Sequence, residues 1–269
     1  MGSETETSSN IEKLMDEFFK STMMSDIASA MKNRRKQSLS LNSILCAKDN
    51  LEASRMLKEM SIALSIYHLQ QAVENLVKAF GYIFLDENTV RKSSHNNFEL
   101  LYKLIEKINS THAQGMLAVS LNKINELKDI PKDDVARFDD ETINNYMLAV
   151  TSLTDSVKTI MKSYNMEEMR DKIVSAYTPL FNKAQRSKLN QITPERITSL
   201  GNSGMSLFEA FMLGLLTYPH EAYTRYPDGS LLNPMIYKQG NLGIVKCYDF
   251  LYGKASDAIN YWHAVIKPQ

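Results

Sequence analysis

The chain is poor in cysteine, glycine and proline, and it lacks a long hydrophobic run. Its 269 residues include two cysteines, ten glycines and seven prolines. Cys46 and Cys247 cannot build a disulfide framework or a cysteine-rich metal site, which favours a reducing, cytoplasmic compartment. No stretch approaches the roughly 18 apolar residues that a bilayer-spanning helix needs, so the sequence predicts no membrane partner. Residues 1–10 are polar and predict a disordered tail rather than a signal peptide.

The chain also lacks net charge, because 31 basic residues balance 31 acidic ones. This balance excludes a polycation that attracts nucleic acid through its overall field, so a nucleic-acid site must be a local basic patch. The run at residues 32–36, Lys-Asn-Arg-Arg-Lys, is such a patch. The favoured interpretation is a solvated helix end whose cations complement the carboxyl-terminal dipole, and a nucleic-acid or membrane-surface role is the alternative.

Helical periodicity dominates the chain, and no segment alternates like a strand, so the sequence predicts an all-α fold. An amphipathic helix and a Ser/Asn-rich joint at 37–43 are expected within 11–43. A helix from Pro194 to about 216 is expected to break at 201–204, and a polar connector is expected at 91–95. Two apolar seams are the strongest core signals: Leu69, Val73, Leu76, Phe80 and Ile83 in one helix, and Ile244, Tyr248, Tyr252, Ala255, Ile259, Trp262 and Ile266 in the last.

A polar stripe runs beside the first of these seams. His68, Gln71, Asn75 and Lys78 recur at steps of three, four and three, which is the spacing of one helical face. Amides and imidazole suit hydrogen bonds to a base or sugar, and Lys78 suits a phosphate. The same stripe is equally compatible with a solvated face, a buried polar network or a dimer seam, so the sequence leaves these interpretations open.

The segment that carries the stripe, YHLQQAVENLVKAF at 67–80, resembles the second helix of HEPN domains (higher eukaryotes and prokaryotes nucleotide-binding). The family pattern is aromatic-His-x-Gln-Gln-Ala-x-Glu-x-x-x-Lys-Ala, and the matching residues here are Tyr67, His68, Gln70, Gln71, Ala72, Glu74, Lys78 and Ala79. Two further landmarks are similar: a Ser94-His95 pair before the third helix, and an Arg-Tyr-Pro turn at 225–227 before the last.

The resemblance implies an up-and-down four-helix bundle that usually forms a homodimer. Residues 44–108 and 205–269 would be its two halves, 109–204 a helical insertion, and 11–43 an addition. It also implies a nucleotide or RNA ligand, a minimal nucleotidyltransferase partner in a toxin–antitoxin or defence system, or metal-independent ribonuclease activity. No cofactor is implied.

The candidate catalytic pair is Arg91 and His95, in which His95 would act as general base and Arg91 would stabilise the transferring phosphate. They have three residues between them, whereas the family's ribonucleases have four to six. The favoured interpretation is that His95 anchors the next helix.

The candidate ligand residues of the later turn are Arg225, which suits a phosphate, and Tyr226, which could stack on a base. The favoured alternative places Tyr226 as a plug at the bundle end and pairs Arg225 with an acid. No histidine cluster has metal-ligand spacing, so no metal site is predicted.

The overall prediction is a non-catalytic protein that binds a nucleotide, RNA or a protein partner. A metal-independent ribonuclease that uses Arg91 and His95 is the second hypothesis. A structural oligomerisation module, with the stripe buried between subunits, is the third.

Overall fold

The computed structural model describes residues 23–93, 97–112, 193–217, 235–238 and 242–267, together with positions 167, 171, 175 and 220. All regular secondary structure in these residues is helical, so the all-α prediction is confirmed for the described part of the chain. The helices are α1 (Met23–Lys32), α2 (Arg34–Leu57), α3 (Ile62–Phe84), α4 (Glu87–Lys92), α5 (Asn97–His112), α6 (Pro194–Thr217), α7 (Met235–Lys238), α8 (Gly243–Lys246) and α9 (Tyr248–Ile266). The predicted tail and most of the predicted insertion lie outside the described residues.

Helix α3 lies at the centre of the described fold and packs against α2, α5, α6 and α9. Fifteen of its 23 residues are buried, including the whole predicted seam. Apolar side chains lie on more than one side of this helix, so several neighbours can remove its surface from water. The predicted seam of the last helix is also confirmed, with six residues buried and Tyr252 partly buried against the core. Trp262 is fully buried, with its ring centroid 4.8 Å from that of Phe80.

Buried serines show that α2 and α3 form an antiparallel hairpin. Ser40 near the start of α2 donates to the carbonyl of Ala79 near the end of α3, at 3.2 Å. At the other end Ser54 donates to the carbonyl of Ser65, at 2.7 Å. These bonds satisfy hydroxyl groups that would otherwise be costly to bury.

Helix α9 runs antiparallel to α2. Lys58, just after α2, contacts Asp249 at the start of α9, with 2.7 Å between Nζ and Oδ1. At the opposite end Gln37 donates to the carbonyl of Ile266, at 3.2 Å.

Helix α6 is in turn antiparallel to α9. Ser203 and Tyr261 have their hydroxyl oxygens 2.7 Å apart, and Lys254 donates to Glu209 at 2.8 Å. The chain direction therefore alternates along α3, α2, α9 and α6.

The break before α2 lies at Asn33 and not in the predicted joint at 37–43, which is helical. Serine weakens helices because its hydroxyl competes for backbone groups. Here Ser40 donates to a carbonyl of α3, and Ser43 donates to the carbonyl of Leu39 within α2. Both hydroxyls are satisfied without breaking the helix.

Three other boundaries differ from the prediction. Helix α6 continues through 201–204, where Ser203 is buried against α9, so tertiary packing offsets the low helix propensity of its glycines. The expected connector is helical up to residue 92 in α4, which Asp86 caps by accepting from the backbone N–H of Thr89 at 2.9 Å. The expected last helix is divided at Cys247 into α8 and α9.

No helix in the described ranges is long and apolar enough to cross a bilayer.

Candidate functional site

The four side chains of the predicted stripe lie half-buried along α3. His68 Nδ1 lies 3.0 Å from Oδ1 of Asn50 on α2. Asn75 donates from Nδ2 to the carbonyl of Gln71, at 2.9 Å. Partial burial lowers the pKa of His68 below its ordinary value, which favours the neutral ring. Polar atoms of both residues are therefore engaged inside the protein.

The other two stripe residues converge on Glu74, whose side chain is 4% exposed. Gln71 donates to its Oε2 at 2.9 Å, and Gln70 donates to the same oxygen at 3.3 Å. Lys78 donates to Oε1 at 2.6 Å. A buried carboxylate needs such partners, because an uncompensated charge is costly away from water. The stripe thus contains a polar network internal to one helix, and ligand binding by it stays a prediction.

Of the other predicted site residues, Arg91 is the one that lies in the described part of the chain. Arg91 lies in the last turn of α4, where its side chain is 63% exposed and its Nη2 contacts Oε1 of Glu87 at 2.6 Å. His95, Arg225 and Tyr226 lie outside the described residues. The catalytic pair and the Arg-Tyr-Pro turn stay predictions.

A cavity of about 520 Å³ lies where α2 begins and α3 ends. We call it the open-end cavity, because it lies at the end of the α2–α3 hairpin opposite the connecting loop. Its charged lining consists of the cations Arg35, Lys36 and Lys107 and the acids Asp86 and Glu87. The stripe residues do not line it.

Local structure at the start of α2 explains how two of these cations are placed. Asn33 caps the helix, and its Oδ1 accepts from the backbone N–H groups of Arg35 and Lys36 at 3.1 and 3.2 Å. Cations in the first turn of a helix oppose the positive end of its dipole, so they do not stabilise α2. Together with that dipole they favour an anion beside the start of α2, whereas the negative end of the α3 dipole at the same end of the hairpin opposes it.

Lys36 also connects the two helices that border the cavity. Its Nζ donates to the carbonyl of Leu85 at 3.1 Å and lies 3.5 Å from that of Ile83. These carbonyls belong to the carboxyl-terminal end of α3, which lacks intrahelical donors. The ammonium group therefore stabilises the end of α3 and stays at the cavity wall.

Glu87 is held between two arginines at the cavity wall. Arg35 binds it with two hydrogen bonds, Nε to Oε2 at 2.7 Å and Nη2 to Oε1 at 2.9 Å. The hydrogen bond from Arg35, together with the charges of Arg35 and Arg91, holds the pKa of Glu87 below its usual value. The same hydrogen bond raises the pKa of Arg35.

The remaining walls are aromatic and apolar. Tyr82 and Phe84 come from the end of α3, Leu39 comes from α2, and Lys107 belongs to α5. Ligand pockets of this size commonly combine apolar walls with a few charged groups that fix orientation. Guanidinium and ammonium groups recognise phosphate, and an aromatic ring can stack on a base.

Sequence reasoning missed this cavity, although it had identified the basic run at 32–36. A helix-end cation that complements the carboxyl-terminal dipole describes Lys32, which ends α1. Arg34, Arg35 and Lys36 instead begin α2, so they lie at the positive end of its dipole. The run itself was the signal that could have located the site.

Comparisons of the chain with protein-family models, with curated proteins and with solved structures give no match. Within the described ranges, no three His, Cys, Asp or Glu side chains are grouped as metal ligands would be. The expectation that the chain holds no metal stays a prediction.

Proposed function

We propose that the chain is a HEPN-like, non-catalytic protein that binds a nucleotide or RNA through its phosphate groups in the open-end cavity. The observation that carries this proposal is the cavity itself, which is lined by the adjacent cations Arg35 and Lys36 of α2 and by Lys107 of α5. In the same proposal the protein forms a homodimer and acts in a toxin–antitoxin or defence system beside a minimal nucleotidyltransferase.

The HEPN-like part of the proposal is supported by the motif at 67–80 and its surroundings. Glu74 and Lys78, four residues apart in the motif, contact each other on the central helix. The directions of α2, α3, α6 and α9 alternate along the chain, as in an up-and-down four-helix bundle. In the resemblance itself, the third helix is α5.

The size and charge of the cavity support a phosphate-bearing ligand. A volume of about 520 Å³ lies inside the range typical of small-molecule sites. The cations lie beside the amino-terminal end of α2, where the helix dipole also favours an anion. The ring of Tyr82 adds a surface on which a base can stack.

The acids at the cavity support binding rather than catalysis. The side-chain and backbone hydrogen bonds from Thr89 lower the pKa of Asp86, and the arginines lower that of Glu87. A general acid or base works best when its pKa lies near the working pH. Two carboxyl groups held below their ordinary values are therefore poorly suited to proton transfer at pH 7.

Titration of the purified protein with ATP and with a short single-stranded RNA, in EDTA, tests the proposal. We expect saturable binding without RNA cleavage. Arg35→Ala and Lys107→Ala should each weaken binding by about tenfold, because each removes a hydrogen bond to a charged group.

The matched control is Arg55→Ala, which removes an exposed arginine from the last turn of the same helix, away from the cavity. Its affinity should equal that of the wild type. Absence of binding, or equal losses in Arg55→Ala and Arg35→Ala, would reject the cavity as the site. Cleavage in EDTA would favour the ribonuclease hypothesis.

A further inference from the structure

Two guanidinium groups converge on one carboxylate at the wall of the open-end cavity. Arg35 reaches Glu87 from the start of α2 with two hydrogen bonds, at 2.7 and 2.9 Å. Arg91 reaches it from the last turn of α4, at 2.6 Å. Phosphate groups are recognised by the same arrangement, in which two guanidinium groups surround one anion.

The charges in this arrangement do not balance. Arg35 and Arg91 carry two positive charges, whereas the carboxylate between them carries one negative charge. Asp86 does not supply the missing negative charge through a direct hydrogen bond to either arginine. Its two oxygens accept from the backbone N–H and the hydroxyl of Thr89, at 2.9 and 2.6 Å.

Both arginines are accessible to a ligand. Their side chains are 73% and 63% exposed, whereas that of Glu87 is 23% exposed. An entering anion can therefore reach the guanidinium groups from solvent. To bind them fully it must compete with a carboxylate that is already attached to the protein.

We infer that Arg35 and Arg91 bind a terminal phosphate, a phosphate monoester, in the position that the carboxylate of Glu87 occupies in this structure. The inference rests on the proposed function and names the ligand chemistry of that site. The monoester belongs to a mononucleotide or to the phosphorylated end of an RNA, and both share the group that is recognised.

Charge explains why a monoester is selected over a diester. A monoester is close to a dianion at pH 7, because its second pKa is about 6. A diester carries one charge, as Glu87 does, and a tethered competitor has an effective concentration in the millimolar range. The diester therefore gains little by displacing Glu87, whereas the monoester neutralises both arginines. Glu87 thus acts as an internal competitor that rejects the weaker anion.

The affinities for AMP and cyclic AMP test this inference. Both nucleotides have the same base and sugar, but AMP carries a phosphate monoester and cyclic AMP carries a diester. We expect the wild-type protein to prefer AMP by about tenfold. Glu87→Gln should raise the affinity for cyclic AMP more than the affinity for AMP, and so reduce the preference for AMP. Arg91→Ala should remove the preference by weakening AMP. An RNA with a 5′-phosphate should likewise bind more tightly than the same RNA with a 5′-hydroxyl.

Glu99→Gln is the matched control, since Glu99 and Lys103 form an exposed pair with the same i,i+4 spacing on α5. It should leave both affinities unchanged. Equal binding of AMP and cyclic AMP by the wild type, with no effect of Glu87→Gln, would overturn the inference and leave the proposed function standing. Binding of neither nucleotide by any variant would reject the proposed function itself. Thermal unfolding is measured for each variant to check that it is folded.

Discussion

Two glutamates of this protein show how position decides what a carboxylate does. Glu74 lies inside the central helix, where three side chains of that helix donate to it. Glu87 lies at the wall of a cavity, where it contacts two arginines whose side chains are also exposed to solvent. The first is enclosed by short local bonds and serves the fold. The second is positioned where another anion can replace it.

His220 supplies a prediction about pH and stability. Its side chain is buried, its Nδ1 lies 2.9 Å from the hydroxyl of Tyr237, and burial lowers its pKa to about 3. In the unfolded chain the pKa returns to about 6.5. Between these values the unfolded state binds a proton that the folded state does not, so the free energy of unfolding falls as the pH falls.

We expect this histidine to cost about 2 kcal/mol of stability between pH 7 and pH 5. Urea unfolding at the two pH values measures the loss, and His220→Phe should reduce it by about that amount. His263→Gln is the comparison: burial and the charges of Lys48 and Lys267 also lower the pKa of His263, but its side chain is only partly buried, so a smaller change is expected. The same pH dependence in His220→Phe and the wild type would contradict the assignment.

The glycines within the helices differ in the space that an added Cβ would find. An added Cβ at Gly81 in α3 would lie 2.8 Å from Cγ2 of Val90 in α4. An added Cβ at Gly253 in α9 would meet nothing within 4 Å. Alanine favours helix by about 1 kcal/mol over glycine, so the contact decides the sign of each substitution.

Gly253→Ala should stabilise the protein by up to about 1 kcal/mol. Gly81→Ala should destabilise it by about 1–2 kcal/mol, because valine is stiff and cannot move aside cheaply. Gly214→Ala should fall between them, since its nearest neighbour at 2.7 Å is the flexible end of Leu101. Chemical unfolding of the three variants measures the order. Equal effects at Gly81 and Gly253 would contradict a close contact between α3 and α4 at Gly81.

Helix interiors were predictable from the sequence, whereas several helix ends were not; the ends of α6, at Pro194 and Thr217, were predicted correctly. The seams of α3 and α9 repeat over several turns, so their periodicity identified the buried faces directly. The start of α2 was misplaced because Ser40 finds its partner on another helix, 39 residues away. A contact of that kind leaves no local pattern in the sequence.

The candidate cavity was hidden from the sequence for the same reason. It is formed by the start of α2, the end of α3 with the beginning of α4, and Lys107 of α5. Each segment alone has an ordinary explanation as a cap, a helix end or an exposed lysine. Only the antiparallel pairing of α2 and α3 brings them together.

The two ends of the α2–α3 hairpin differ in their surfaces, although exposed charges lie at both. The open end carries the charged cavity. The end with the connecting loop carries exposed apolar side chains, with Met56 67% and Met60 80% exposed. The antiparallel arrangement separates the two surfaces by the length of α2, which is about 36 Å for 24 residues. A phosphate-bearing ligand is expected at the open end, where the cations line a cavity.

The zero net charge gives the last prediction, which concerns salt. A chain without an overall positive field attracts RNA only through the cations that touch it. If Arg35, Arg91 and Lys107 neutralise about three phosphate charges of a single strand, about two counterions are displaced, and the slope of log K against log salt should be about −2. Fluorescence anisotropy with a 5′-phosphorylated RNA, between about 50 and 200 mM KCl, measures this slope. Lys107→Ala should make it shallower by about 0.7, whereas Arg55→Ala should leave it unchanged. A slope of about −5 or steeper would require an extended basic surface and contradict a local site, and a slope of zero would mean that the phosphates are not bound.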